Sequence, residues 1–174
     1  MRALAVSATK DPVTECVQCR RRYDDGVRFC PVDGFAAVPV GDPLIGRTLL
    51  GQFRIDAACG RGATGTVYRA QQLGMDRPVA IKVLRGDLLR NQDIVRRFIR
   101  EARAGARLSH PNIATVHLVG ETEEGAPYIV MEYVDGVTLR DIVHNDEPMP
   151  PRRALEVIAD ACQALNFSHQ HGII

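Results

Sequence analysis

Residues Gly60–Val67 read GRGATGTV, and this stretch decides the fold together with two features that come after it in the chain. Residues Val79–Lys82 read VAIK, an apolar segment that ends in a lysine, and Glu101 is found nineteen residues after that lysine. A glycine-rich turn alone is a weak signal, whereas the three features at these distances form a specific pattern. Glycines let backbone N–H groups approach a phosphate without obstruction by side chains. The pattern therefore predicts a site for the phosphates of a nucleotide.

The sequence around this stretch alternates between strand and helix patterns. Five segments have the composition or alternation of strands, namely 53–57, 66–71, 78–84, 113–119 and 128–133. One segment, 91–108, repeats apolar residues with helical period and is inserted among them. A short helix is predicted to begin with a capping box at Thr138, and a longer amphipathic helix to cover 152–169. We therefore predict an α+β fold with a five-stranded antiparallel sheet and one inserted helix, followed by two more helices.

Glu101 is predicted on the apolar face of the inserted helix, in line with Ile94 and Phe98. A carboxylate in that position is costly unless it is paired. Lys82 is the natural partner, since an ion pair would orient the lysine amine towards the phosphates. The alternative is that Glu101 reaches the edge of the helix and the solvent.

Residues 46–174 resemble the N-terminal lobe and the first part of the C-terminal lobe of a bacterial eukaryotic-like serine/threonine protein kinase. The stretches Tyr128–Val143 and Ala159–His169 carry the closest resemblance, to mycobacterial sensor kinases with extracellular PASTA domains. The resemblance implies ATP as cofactor. It also implies that Val67 and Ala80 enclose the adenine ring, that Met131 is the gatekeeper, and that the backbones of Glu132 and Val134 bond the adenine edge. The expected nucleotide-binding residues are Gly60, Gly62, Gly65, Val67, Ala80, Lys82, Glu101, Met131, Glu132 and Val134.

The family's catalytic loop, its magnesium-binding asparagine and its Asp-Phe-Gly motif would follow Ile174, where the sequence stops. We therefore assign no catalytic residue, and the ligands of the Mg²⁺ that a complete kinase uses are absent. The expected function is that of an ATP-dependent serine/threonine protein kinase, seen as a truncated kinase domain that is inactive alone. One alternative is a truncated, pseudokinase-like module that binds a nucleotide or a partner. Another is a metal-ribbon interaction protein with a vestigial kinase part, against which the intact Lys82 and Glu101 argue.

The cysteines near the N-terminus suggest a separate small unit. We predict a flexible tail over 1–14 and a segment similar to a zinc ribbon over 15–40. Cys16 and Cys19 form a CxxC, and Cys30 begins half of a second knuckle whose last place is taken by Asp33. These four residues are the candidate zinc ligands, although a structural zinc site with three sulfurs and one oxygen is uncommon. The alternatives are a degenerate ribbon that folds without metal and a disordered leader.

Composition excludes several other classes of protein. Charged residues make up 25% of the 174, and the formal net charge is +1, which gives no support for a nucleic-acid or membrane-surface binder. No apolar run approaches the roughly 20 residues that span a bilayer. The five cysteines are too unevenly spread for a disulfide framework. We expect a cytoplasmic chain, whose longer parent could be anchored in a membrane outside this segment, with ATP and protein substrates as partners.

Overall fold

The structure is a computed structural model, and it describes residues 14–23, 27–144 and 149–173. All of the predicted tail except Thr14 lies outside the described residues. Within those ranges, none of the helices combines the length and the apolar character that crossing a bilayer requires.

A small three-stranded sheet forms the N-terminal unit, which we call the ribbon (residues 14–23 and 27–39). Its strands are β1 (Thr14–Cys16), β2 (Arg22–Tyr23) and β3 (Ala37–Pro39), and they lie antiparallel in the order β2-β1-β3. Thr14 begins β1 and is fully buried, so it does not belong to the tail that the sequence assigned it to. The ribbon is thus a folded unit with its own hydrogen-bonded sheet.

The main sheet has six strands, β4 (Thr48–Leu49), β5 (Phe53–Arg61), β6 (Gly65–Gln72), β7 (Arg77–Leu84), β8 (Val116–Glu121) and β9 (Pro127–Glu132). Their order is β4-β5-β6-β7-β9-β8, and all neighbours are antiparallel. The five predicted strands are confirmed, and the two-residue β4 is an addition. The strand expected from Ile113 begins at Val116, because His110–Ile113 forms a turn closed by a 3.0 Å bond from Ile113 N to His110 O.

The described residues also form three α-helices and one 3-10 turn: the turn Gly86–Leu88, α1 (Gln92–Gly105), α2 (Leu139–His144) and α3 (Pro151–Gln170). Asn91 caps α1, since its side-chain oxygen accepts hydrogen bonds from the backbone N–H groups of Asp93 and Ile94. The capping box of α2 is confirmed: Asp141 N donates to Thr138 Oγ1, and Thr138 N donates to an Asp141 carboxylate oxygen.

The alternation along each strand separates two apolar clusters. The larger cluster covers one face of the main sheet and includes Phe53, Ile55, Tyr68, Ile81 and Tyr128. The smaller cluster lies between the opposite face and α1, and its buried members are Leu84, Phe98, Ala102 and Ile129. Every second residue of β7 therefore faces α1, which is the face on which Lys82 lies.

Candidate nucleotide site and candidate metal centre

The glycine-rich stretch forms the tip of the β5–β6 hairpin. Gly60 lies opposite Val67 in the register, and Gly62 N donates to Gly65 O at 2.8 Å to close the turn. Gly65 is backed by β7 so closely that a Cβ atom there would clash with the backbone of Val83. The hairpin is therefore a short, closed loop that needs glycine where it approaches its neighbour.

Lys82 projects from β7, the strand at the centre of the candidate site. It lies opposite Val67 on one side and Ile129 on the other, and Ala80 lies opposite Met131. Residues directly opposite each other in an antiparallel sheet share a face. The register therefore places Val67, Ala80, Lys82 and Met131 on the same face of the sheet.

The predicted ion pair between Lys82 and Glu101 is not formed among the described residues. The Lys82 ammonium lies 5.6 Å from the centre of the Phe98 ring instead, and Glu101 is exposed. The buried face of α1 is centred on Phe98 and Ala102, so Glu101 lies at its flank. The sequence left two positions open for Glu101, paired with Lys82 or at the edge of the helix in solvent, and the structure has the second. The contribution of Phe98 to the lysine environment was missed, because its apolar character marked it only as a core residue.

The chain leaves the sheet after Glu132, the last residue of β9. The backbone N–H of Glu132 donates to Thr115 O at 2.8 Å, and its side chain accepts from Thr115 N at 3.1 Å. Tyr133 and Val134 follow, and Val134 is 69% exposed. Residues 133–138, which we call the hinge, thus begin at a point that is fixed to the chain before β8. Of the two predicted adenine-binding positions, Glu132 lies at this point and Val134 two residues beyond it.

The four candidate metal ligands converge in the ribbon. One ligand atom from each of Cys16, Cys19, Cys30 and Asp33 lies within 4.8 Å of all the others. Cys19 Sγ and Cys30 Sγ are 3.6 Å apart, and the Cys16 thiol donates to Asp33 Oδ1 at 3.3 Å. Tetrahedral zinc with Zn–S bonds of ~2.3 Å holds its sulfurs about 3.8 Å apart. The spacing therefore fits a tetrahedral ion.

The two halves of this cluster have the same local geometry. Gln18 N donates to Cys16 Sγ at 3.4 Å, and Val32 N donates to Cys30 Sγ at 3.4 Å. Each knuckle thus turns a backbone N–H towards its first sulfur, two residues back. Such bonds orient a sulfur and stabilise its thiolate form, as the outer partners of metal ligands do.

The electrostatics of the cluster favour an ionised Asp33 and a protonated Cys19. By contrast, the pKa of Cys30 is lowered, because the effect of burial is outweighed by hydrogen bonds from Tyr23 and the backbone. The hydrogen bond from Cys19, with others from Cys30 and Phe35 N, lowers the pKa of Asp33 to about 2 against the effect of burial. A backbone hydrogen bond lowers the pKa of Cys19, but Asp33 and the neighbouring thiols outweigh it and raise that pKa to about 12. A cation that binds here must therefore displace thiol protons.

The comparisons with known proteins agree on one family. The family model described as "Protein kinase domain" matches residues 53–174. Serine/threonine-protein kinase PknB of Mycolicibacterium smegmatis is 56% identical over 126 residues, which are 71% of this chain and 20% of that protein. Serine/threonine-protein kinase pkn3 of Myxococcus xanthus is 40% identical over 136 residues, 78% of this chain and 25% of that protein.

Solved structures give the same result for the fold. The crystal structure of the Mycobacterium tuberculosis PknI kinase domain matches with a TM-score of 0.61 and 33% identity, over 73% of this chain and 51% of that one. The chain thus spans about half of that kinase domain and, in the PknB match, a fifth of the curated relative. From the match over residues 53–174 and the identity to these bacterial serine/threonine kinases, we conclude that the chain belongs to the protein kinase family.

Proposed function

We propose that this chain binds ATP under the glycine-rich hairpin, as the nucleotide-binding part of a kinase that phosphorylates serine or threonine in protein substrates. The observation that carries the proposal is the register of β6, β7 and β9, which aligns Val67, Ala80, Lys82 and Met131 on one face. The apolar side chains that could contact the adenine ring thereby lie beside the Lys82 ammonium, which could bind the phosphates. Both lie under the hairpin with its three glycines.

Each residue has a distinct role in this proposal. Gly60, Gly62 and Gly65 keep the hairpin backbone accessible to the phosphates, and Lys82 supplies the positive charge. Val67, Ala80 and Met131 contact the adenine ring, and the backbones of Glu132 and Val134 bond its edge. Glu101 joins Lys82 when α1 turns its flank towards β7, which would free the ammonium from the Phe98 ring.

Calorimetry or ligand-observed NMR with ATP tests the proposal. We expect the chain to bind ATP with a dissociation constant roughly in the high-micromolar to millimolar range, which corresponds to a few kcal/mol of contact energy. Lys82→Ala should weaken binding several-fold, whereas Arg77→Ala, a charge removed at the exposed start of the same strand, should not. Equal affinity of Lys82→Ala and the unaltered chain would contradict the proposed site.

We propose as a second function that the ribbon binds one zinc ion through Cys16, Cys19, Cys30 and Asp33. The convergence of four ligand atoms within 4.8 Å supports this, together with the matched backbone bonds to Cys16 and Cys30. All five cysteines are free thiols, as a metal-binding protein in a reducing compartment requires. The cytoplasmic location itself stays a prediction.

Elemental analysis of protein purified without chelator tests the metal site. We expect about one zinc per chain, lost in Cys19→Ser and kept in Cys59→Ser, which alters a thiol outside the cluster. Protein without zinc, or zinc retained by Cys19→Ser, would remove the proposed site. Loading with Zn²⁺ should also release protons from the thiols, which a pH indicator can record.

A further inference from the structure

We infer that the ribbon is an intramolecular cover over the mouth of the nucleotide cleft, and that ATP must displace it to enter. This inference rests on the proposed nucleotide site. It concerns contacts between two parts of the chain that are far apart in sequence. Three independent features of the structure carry it.

The first feature is a shared cavity of about 400 Å³ between the ribbon and the glycine-rich hairpin. Its size is within the usual range of ligand pockets, about 300–1,000 Å³. Gly60, Gly62 and Val67, all proposed nucleotide contacts, line this cavity. Phe29 and Phe35 of the ribbon and Arg140 at the start of α2 line it as well. The ribbon therefore occupies the approach to the underside of the hairpin.

The second feature is a contact that spans this mouth. The guanidinium carbon of Arg140 lies 4.1 Å from the centre of the Phe29 ring, well within the distance of a cation–π interaction. Arg140 belongs to α2, which follows the hinge, whereas Phe29 belongs to the ribbon. The contact thus connects the ribbon to the side of the cleft that lies across from the hairpin. A cation–π contact to a ring that is 43% exposed is weak enough for a bound nucleotide to displace.

The third feature keeps the ribbon in place beside the hairpin. β4 pairs with Phe53 and Arg54, and Ile55 bonds to Gly46 and Arg47, so among the described residues the pairing along that edge of β5 does not continue beyond Ile55. An open strand edge is usually covered by another element, and β3 packs next to β5 here. Val38 of β3 also packs against the larger apolar cluster. The ribbon is therefore held beside the outer edge of β5 by β3, and not by the contacts that its phenylalanines make in the cavity.

Gly41, just after the ribbon, is a position at which the ribbon could rotate relative to the main sheet. Gly41 has a φ of +76°, a conformation that favours glycine, and the next residue is fixed because Tyr68 Oη donates to Asp42 Oδ2 at 2.6 Å. Rotation at Gly41 would move the ribbon as a unit away from the hairpin. Opening the cover would therefore also take Val38 out of its contact with the larger apolar cluster.

Hydrogen–deuterium exchange and ATP titration on the 174-residue chain test the cover. Phe29→Ala and Arg140→Ala remove the contact from its two sides. Val32→Ala is the matched control, since Val32 is an apolar ribbon residue that is 58% exposed and does not line the cavity. We expect faster exchange in peptides that cover 58–67 and 138–144 in the two test variants only. ATP should bind those variants about three- to ten-fold more tightly, as loss of one weak competing contact predicts.

In the unaltered chain, saturating ATP should speed exchange in ribbon peptides that cover 28–37. Identical exchange in Phe29→Ala, Arg140→Ala and Val32→Ala would overturn the cover. Weaker ATP binding by the test variants would also overturn it, because the ribbon would then contribute to the binding site and would not compete with ATP. If no variant bound ATP, the proposed nucleotide site would fail and this inference with it. If the variants bound ATP but their exchange in 58–67 and 138–144 were unchanged, the nucleotide site would stand and only the cover would fail.

Discussion

Gly65 shows how a single residue supports the whole hairpin. A Cβ atom built there would lie 3.1 Å from the carbonyl carbon of Val83 and closer still to its oxygen, and this is backbone that cannot rotate away. We expect Gly65→Ala to lower the free energy of unfolding by about 1–3 kcal/mol, the usual cost of overpacking. Gly62→Ala is the matched control, because its nearest neighbour would be 3.7 Å away. Urea unfolding of both variants measures the difference, and equal stability would show that β7 can yield at Val83.

The two buried tyrosines of the main sheet make a second pair at this scale. Tyr68 Oη donates to Asp42, whereas Tyr128 Oη is buried without a hydrogen-bond partner in the described part of the chain. Tyr68→Phe should therefore cost about 1 kcal/mol, and Tyr128→Phe should cost nothing or increase stability. Thermal unfolding compares them. A larger loss for Tyr128→Phe than for Tyr68→Phe would mean that the Tyr128 hydroxyl is satisfied after all.

Tyr68 also makes the stability of the fold depend on pH. Burial, then the hydrogen bond to Asp42, raises the pKa of Tyr68 above its ordinary value. The folded state therefore keeps a proton that the unfolded state loses near pH 10, roughly. The stabilisation by Tyr68 is complete below that pH and is lost as the pH rises through the folded-state pKa. Alkaline unfolding monitored by circular dichroism should become less steep in Tyr68→Phe; an unchanged profile would contradict this assignment.

At the scale of elements, the start of α1 depends on one side chain. Asn91 Oδ1 accepts from Asp93 N at 3.1 Å and from Ile94 N at 3.3 Å, two donors that have no partner within the helix. Asn91→Ala should destabilise the protein by about 1 kcal/mol, and Gln92→Ala, inside the first turn, should be close to neutral. Chemical unfolding checks the first effect, and amide exchange of residues 92–96 shows whether it is confined to the start of α1. Equal losses in the two variants would mean that the cap contributes little.

Elements with a strong local pattern could be predicted from the sequence, and their arrangement could not. Alternation predicted β5, the glycine-rich turn predicted its return strand β6, apolar composition predicted β7 and β9, and the capping box predicted the start of α2. Glu101 was placed on the apolar face because it follows Phe98 by three residues. Ala102 is the residue that is buried against the sheet instead, and Glu101, one position before it, lies at the flank. The contact of Phe29 with Arg140 joins residues that are distant in sequence and has no local signal.

At the scale of the whole molecule, α3 is the least integrated element. None of its residues, all of them described, is buried, and Leu155, Ile158 and Leu165 are 69%, 58% and 56% exposed. Exposed apolar faces of this kind favour association.

We therefore expect concentration-dependent self-association in sedimentation experiments. A double substitution, Leu155→Gln with Ile158→Gln, should reduce association without lowering the unfolding temperature, because neither side chain contributes to the core. Met75→Gln, which alters an apolar side chain that is 65% exposed in a turn outside α3, is the control and should leave association unchanged. Association that persists in the double variant would place the contact surface elsewhere.

The pairing of β7 with β9 also has a mechanical consequence. Lys82 is opposite Ile129, and Val79 is opposite Glu132, so three residues of continuous ladder separate the lysine from the start of the hinge. At about 3.3 Å per residue the two recognition points are held about 10 Å apart. This span is set by backbone hydrogen bonds and does not change when the hairpin flexes or the ribbon rotates. For the nucleotide that we propose to bind here, the sheet would thus set a constant distance between the position of the base and the position of the phosphates.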